Sequence, residues 1–139
     1  MSPEELKHLD YIQSTISRMA TNQFQIKGWL VAIDSAILTV FANSFKNDSG
    51  PNPYFLLAAI FPTVIFWILD SNFLSKERRL RRIYMEVAQQ KETVNPFDMP
   101  LNKYKTGFYS PIKCMFSLNN ILIYLTTSIG FLVAFFCLI

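Results

Sequence analysis

"YFLLAAIFPTVIFWILDSNFL", residues Tyr54 to Leu74, runs directly into "SKERRLRRIYMEVAQQKE", Ser75 to Glu92. The first stretch is apolar over 21 residues with one charge, Asp70, and a helix needs about 20 such residues to cross a hydrocarbon core. The second sets five basic residues, Lys76, Arg78, Arg79, Arg81 and Arg82, and one acid, Glu77, into ten positions. Good helix formers dominate it and neither Gly nor Pro interrupts it. The junction predicts one rod, half in lipid and half in water, running to about Glu92 before "NPFDMP" (Asn95 to Pro100) breaks it.

The rest of the composition fits that solvent. Of 139 residues, 51% are hydrophobic and 15% aromatic, and mean hydropathy is +0.24. Those values are high for a small soluble domain that must keep charge on its surface. They predict an all-α integral membrane protein of one domain, too small to enclose a large cavity without several copies. Two more runs reach spanning length: "GWLVAIDSAILTVFANSF", Gly28 to Phe45, and "LNNILIYLTTSIGFLVAFFCLI", Leu118 to Ile139. The first starts too far into the chain, and lacks the small-residue cleavage site, for a secretory leader. It is expected to remain as a span. The third has no polar tail, and its end is expected at the far interface.

Orientation follows from Lys and Arg. Three precede the first span, nine lie between Ser75 and Ser117, and the loop between the first two spans holds only Lys46. The positive-inside bias then puts the N-terminus and residues 75–117 in the cytoplasm and the C-terminus outside. The short loop "KNDSGPNP" is rich in turn formers.

Residues 2–27 read as an amphipathic cytoplasmic helix. Ser2 is placed to cap it, Pro3 to occupy its first turn, and Glu4 and Glu5 to complement its dipole. Leu9, Ile12, Ile16, Met19 and Ile26 make a three-and-four seam with Gln23 as its polar step. Two readings stay open: packing on the extension of the second span within one subunit, or self-association with Gln23 fixing register.

The basic run also has two readings. One is a collar of arginines reaching anionic headgroups. The other is a binding site for phosphates, since a planar guanidinium suits bidentate phosphate recognition better than a point charge. In a symmetric oligomer these side chains repeat around an axis, the footprint of a nucleotide or nucleic-acid site.

Within the spans the informative residues are Asp34 and Asp70. By helical rise Asp34 lies about 9 Å inward from Gly28 and Asp70 about 6 Å inward from Leu74. Asp70 is expected to mark its helix end and pair with Arg78 or Lys76. Asp34, in a fully apolar run, is expected to face an oligomer axis or a polar pathway. Asn43, Asn119, Asn120, Thr126, Thr127 and Ser128 read as interhelical glue, and Pro62 as a kink.

Catalytic signatures are missing. The single histidine, His8, sits in the polar part of the N-terminal helix, which leaves no His-containing triad and no His-based metal site. Cys114 and Cys137 fall on opposite sides of the membrane, so no intrachain disulfide is expected. The four glycines form no phosphate loop. No enzyme and no cofactor is expected.

The stretches "LKHLDYIQSTISRMATNQFQIKGWLVAIDSAIL" and "FPTVIFWILDSNFLSKERRLRRIY", with "IKGW" at Ile26 to Trp29 and "FWILD" at Phe66 to Asp70, resemble small bacterial membrane proteins of anti-phage defence loci. The layout is most similar to the membrane effectors of the Hailong system, over about the first two-thirds of the chain. The resemblance implies an oligomeric channel, a tetramer among the options, that depolarises the infected cell under control of an oligonucleotide made by a partner nucleotidyltransferase. Lys76, Arg78, Arg79, Arg81 and Arg82 match the ligand-binding feature it implies. The rival expectations are an accessory scaffold for a cytosolic partner and an ungated membrane-disrupting toxin.

Overall fold

Ser2 starts the first helix as a reciprocal cap. Its hydroxyl accepts from the Glu5 amide at 3.2 Å while the Glu5 carboxylate accepts from the Ser2 amide at 2.7 Å. With Pro3 in the first turn and Glu4 and Glu5 at the positive end of the dipole, the helix begins where the sequence placed it. It does not stop at Lys27, just before the apolar run begins. Helix α1 is a single element, Pro3–Ser44, so the amphipathic helix and the first apolar run are one rod.

The structure is a computed structural model and describes residues 1–90, 95 and 97–139. Among them it is helical, with no strand. After α1 the chain turns through Gly50, whose φ of +75° favours glycine. The Ser44 hydroxyl accepts from the Asn52 amide at 3.3 Å, and the Asn52 side chain accepts from the Tyr54 amide at 3.1 Å. These two bonds close the hairpin and start helix α2, Tyr54–Ala88.

Helix α2 runs through Pro62 as one element and joins the apolar run to the basic run without a break. It ends at Ala88, short of the expected Glu92, which lies outside the described residues. Gln90 takes a φ of +53°, the left-handed conformation that ends many helices. Glycine is the usual sign of such an ending, and none stands there to be read.

Residues 97–110 return along α2 through two short 3-10 turns, Leu101–Lys103 and Gly107–Tyr109. Helix α3, Pro111–Met115, follows, and then helix α4, Leu118–Leu138. Residues Ile121–Leu125 of α4 form a π-helical turn, a local widening found disproportionately at functional positions.

Three helices, α1, α2 and α4, are thus long and apolar enough to cross a membrane. Helix α2 packs against the other two. Two apolar clusters hold the bundle. Leu9, Ile12 and Ile16 meet Leu80, Ile83 and Val87 at the basic end; in water each fully buried Leu or Ile is worth roughly 1.5–3 kcal/mol. Leu56, Ala59, Phe131 and Phe135 form the second cluster, toward the hairpin end. The seam of α1 therefore packs on α2 within one chain, the first of the two readings above.

Candidate functional site

Between the two apolar clusters the bundle is polar. Asp70, fully buried, accepts from the Lys27 ammonium at 2.5 Å and from the Tyr124 hydroxyl at 2.7 Å, both at Oδ2. Lys27 comes from α1 and Tyr124 from the π-helical turn of α4, so one carboxylate ties all three long helices. This corrects the expected pairing of Asp70 with Arg78 or Lys76. Those residues lie about two turns farther along the same helix, whereas Lys27 stands opposite Asp70 on α1.

The layer extends around that carboxylate. Asn120, also fully buried, donates to the Cys114 carbonyl at 3.2 Å and to the Ser71 hydroxyl at 3.5 Å. Trp67 stacks on Tyr124 with centroids 6.2 Å apart and planes 7° apart, and its indole donates to the Met115 carbonyl at 3.0 Å. Asn120 thus has the gluing role expected of it. Farther in, Asp34 is buried against Thr63. The structure turns Asp34 toward α2 and not toward the outer face of α1.

On α1 the buried and half-buried positions Leu30, Asp34, Ile37, Phe41 and Ser44 continue the seam that starts at Leu9. At 100° per residue the opposite face carries Gly28, Ala32, Ser35, Thr39 and Asn43, all exposed. No large side chain lies on that line. The hydroxyls of Ser35 and Thr39 donate to the carbonyls of Val31 and Ser35 at 2.7 and 2.8 Å, which leaves their lone pairs turned outward.

The basic run is mostly engaged within the chain. Arg78 donates to the Phe108 carbonyl at 3.0 Å and lies 4.0 Å over the Phe108 ring. Arg79 donates to the carbonyls of Leu101 at 3.3 Å and Tyr109 at 3.4 Å. Both therefore bind the return segment to α2, a role that neither sequence reading contained. Arg81 donates from two nitrogens to one oxygen of Glu77, at 2.7 and 2.9 Å, and its side chain stays 61% exposed; Arg82 lies 3.6 Å from Glu86 and its side chain is 42% exposed. Lys76 is exposed, with its ammonium 5.8 Å from the Phe73 ring. Beside Arg78, the buried Cys114 thiol is pushed up from its ordinary value, because desolvation outweighs the nearby guanidinium.

Two carboxylates organise this end. Glu77 accepts from Gln23 of α1 at 2.5 Å with Oε2 while Oε1 holds Arg81. Glu86 accepts from the Tyr104 hydroxyl and from Lys103 at 3.3 Å. Lys103 is raised above the ordinary lysine value, chiefly by its hydrogen bond to Glu86. His8 is buried, not in a polar face, with Nε2 3.0 Å from the Asp98 carbonyl.

Sequence reasoning missed Lys27, Thr63, Glu77 and Tyr124. A signal for three of them was present. Thr63, Asp70 and Glu77 are seven residues apart on α2, and Lys27 and Asp34 are seven apart on α1, so each set falls on one helix face. Antiparallel packing of those faces gives the observed pairs. Among the described residues no group of three His, Cys, Asp or Glu side chains is placed to hold a metal. Comparison with family models, with curated proteins and with solved structures finds no match to this chain.

Proposed function

We propose that the chain is a non-enzymatic subunit of a homo-oligomeric ion channel in a bacterial inner membrane, controlled by an anionic nucleotide or oligonucleotide at its basic end. The observation that carries this reading is the line Gly28, Ala32, Ser35, Thr39, Asn43 on α1, exposed and directly opposite the seam that packs on α2. A face of small and hydroxyl side chains gains nothing from lipid, whereas around an axis it makes a narrow path with oxygen lone pairs along it. The resemblance to membrane effectors of anti-phage defence supports the same assembly and the same class of ligand.

Control would pass through Glu77. A phosphate that takes Arg81 from Glu77 replaces a surface ion pair worth about 0.2–1 kcal/mol, and the released carboxylate also carries the bond to Gln23 on α1. The ligand contact is thereby joined to the helix that lines the path. Arg82, reachable from solvent, completes the contact, and Arg78 and Arg79 hold the return segment behind it.

The test is ion flux in liposomes together with the mass of the purified particle, with and without short oligonucleotides. A multiple of 16.1 kDa, flux that responds to oligonucleotide, and loss of flux in Thr39→Phe but not in Leu38→Phe are expected. A monomeric particle, or equal flux in both variants, would overturn the channel and favour an accessory scaffold.

A further inference from the structure

We propose that the basic end of the bundle carries a dedicated site for an anionic phospholipid, in the groove between α1 and α2 lined by Asn22, Gln25, Ile26, Trp29 and Phe73. The groove is shallow and open, with a volume of about 280 Å³. It lies where both apolar runs end, beside Gly28 on α1 and Leu74 on α2. Its lining is graded along the helix axis: the amides of Asn22 and Gln25 lie on one side of that level, and Trp29 on the other, about 10 Å from Asn22 by helical rise. A phospholipid has the same gradient, with a hydrogen-bonding headgroup over an apolar chain, and tryptophan concentrates at that boundary.

Charge settles which phospholipid. Lys76 is exposed, its ammonium stands 5.8 Å from the ring of Phe73, and it forms no ion pair among the described residues. Arg81 and Arg82, by contrast, are paired with Glu77 and Glu86. The groove offers two amides for the headgroup oxygens and Trp29, 65% exposed, for the first methylenes of the chain, and Lys76, which adjoins it over the Phe73 ring, adds one positive charge without an ion-pair partner among the described residues. A phosphate ester with a neutral polar head satisfies all three; a zwitterionic head brings its own cation to Lys76. The assignment rests on the membrane placement and not on conduction, so it stands or falls apart from the channel.

Native mass spectrometry of the detergent-solubilised full chain tests it, using phosphatidylglycerol and phosphatidylcholine of identical chains. Retention of phosphatidylglycerol over phosphatidylcholine is expected, and Lys76→Gln should lower it about fivefold, the usual effect of one basic residue near an anionic surface. Lys46→Gln, the same charge change at the hairpin end, should leave it unaltered. Glycerol 3-phosphate should not displace the lipid. Should Lys76→Gln unfold the chain, quenching by chain-brominated phosphatidylglycerol gives the second reading: strong in the wild type, weak in Trp29→Phe, where only Trp67 remains. Equal retention of the two lipids would overturn the proposal. So would complete displacement by glycerol 3-phosphate, or equal quenching of wild type and Trp29→Phe. A second copy of the chain seated in the groove would show as retention that ignores the headgroup, and is excluded or established by the same comparison.

Discussion

Lys27 and Asp70 meet at 2.5 Å across α1 and α2, with the carboxylate fully buried and the lysine side chain 18% exposed. The pair sits between the two apolar clusters and fixes the register of the long helices. Removing one partner strands the other charge, which costs about 3–5 kcal/mol at such sites. Lys27→Met and Asp70→Leu should each destabilise by that order in thermal unfolding from detergent. The double variant should recover much of the loss, because an apolar pair of similar volume leaves no orphan charge. Additive losses would mean that the two charges do not act as a pair.

Tyr124 supplies the second donor to Asp70 and stacks on Trp67. Tyr124→Phe keeps the ring and removes only the hydroxyl, so a hydrogen bond to a charged group is lost, roughly 1.5–3 kcal/mol. The stack should survive and Trp67 emission should stay close to wild type. A large emission shift with little change in stability would show that the hydroxyl positions the ring and contributes little as a donor.

The extent to which these features were legible follows from how local their causes are. The cap at Ser2, the seam from Leu9 to Met19 and the continuous rod across Leu74 and Ser75 depend on spacing within a few turns, and all three are present. The seam beyond Gly28 was hidden because nearly every residue of a spanning run is apolar, which erases the contrast that reveals a face. Asp70 was matched to the nearest basic residues in sequence, while its partner stands 43 positions away on an antiparallel helix. The roles of Arg78 and Arg79 were invisible for another reason. Apart from the Cys114 sulfur, their acceptors are backbone carbonyls of Leu101, Phe108 and Tyr109, which carry no signature in the sequence.

Arg79 and Arg81 should separate in function although they are two positions apart. Arg79→Ala frees the carbonyls of Leu101 and Tyr109, so trypsin should cut faster at Lys103 and Lys105, and stability should fall by about 1–3 kcal/mol. Arg81→Ala removes an exposed ion pair and should change stability by less than about 1 kcal/mol. Its effect should fall on oligonucleotide affinity, with the salt slope reduced by about 0.7, the share of one phosphate on a single strand. Equal affinity and equal salt slope for wild type and Arg81→Ala would remove Arg81 from the ligand contact.

Lys103 gives the return segment an alkaline limit. Its hydrogen bond to Glu86 raises the ammonium above the ordinary value of 10.5, so the folded chain holds this proton more tightly than the unfolded one. By linkage the contribution is fully present below about pH 10 and is lost as pH rises through the raised value. The readout is hydrogen exchange of the amides of residues 101–110. Protection should fall as pH rises above about 10.5 in the wild-type chain. In Lys103→Arg it should persist to higher pH, because a guanidinium keeps its charge there, and in Lys103→Met it should start lower and show no such step. The same step in Lys103→Arg as in the lysine protein would place the alkaline limit on another group.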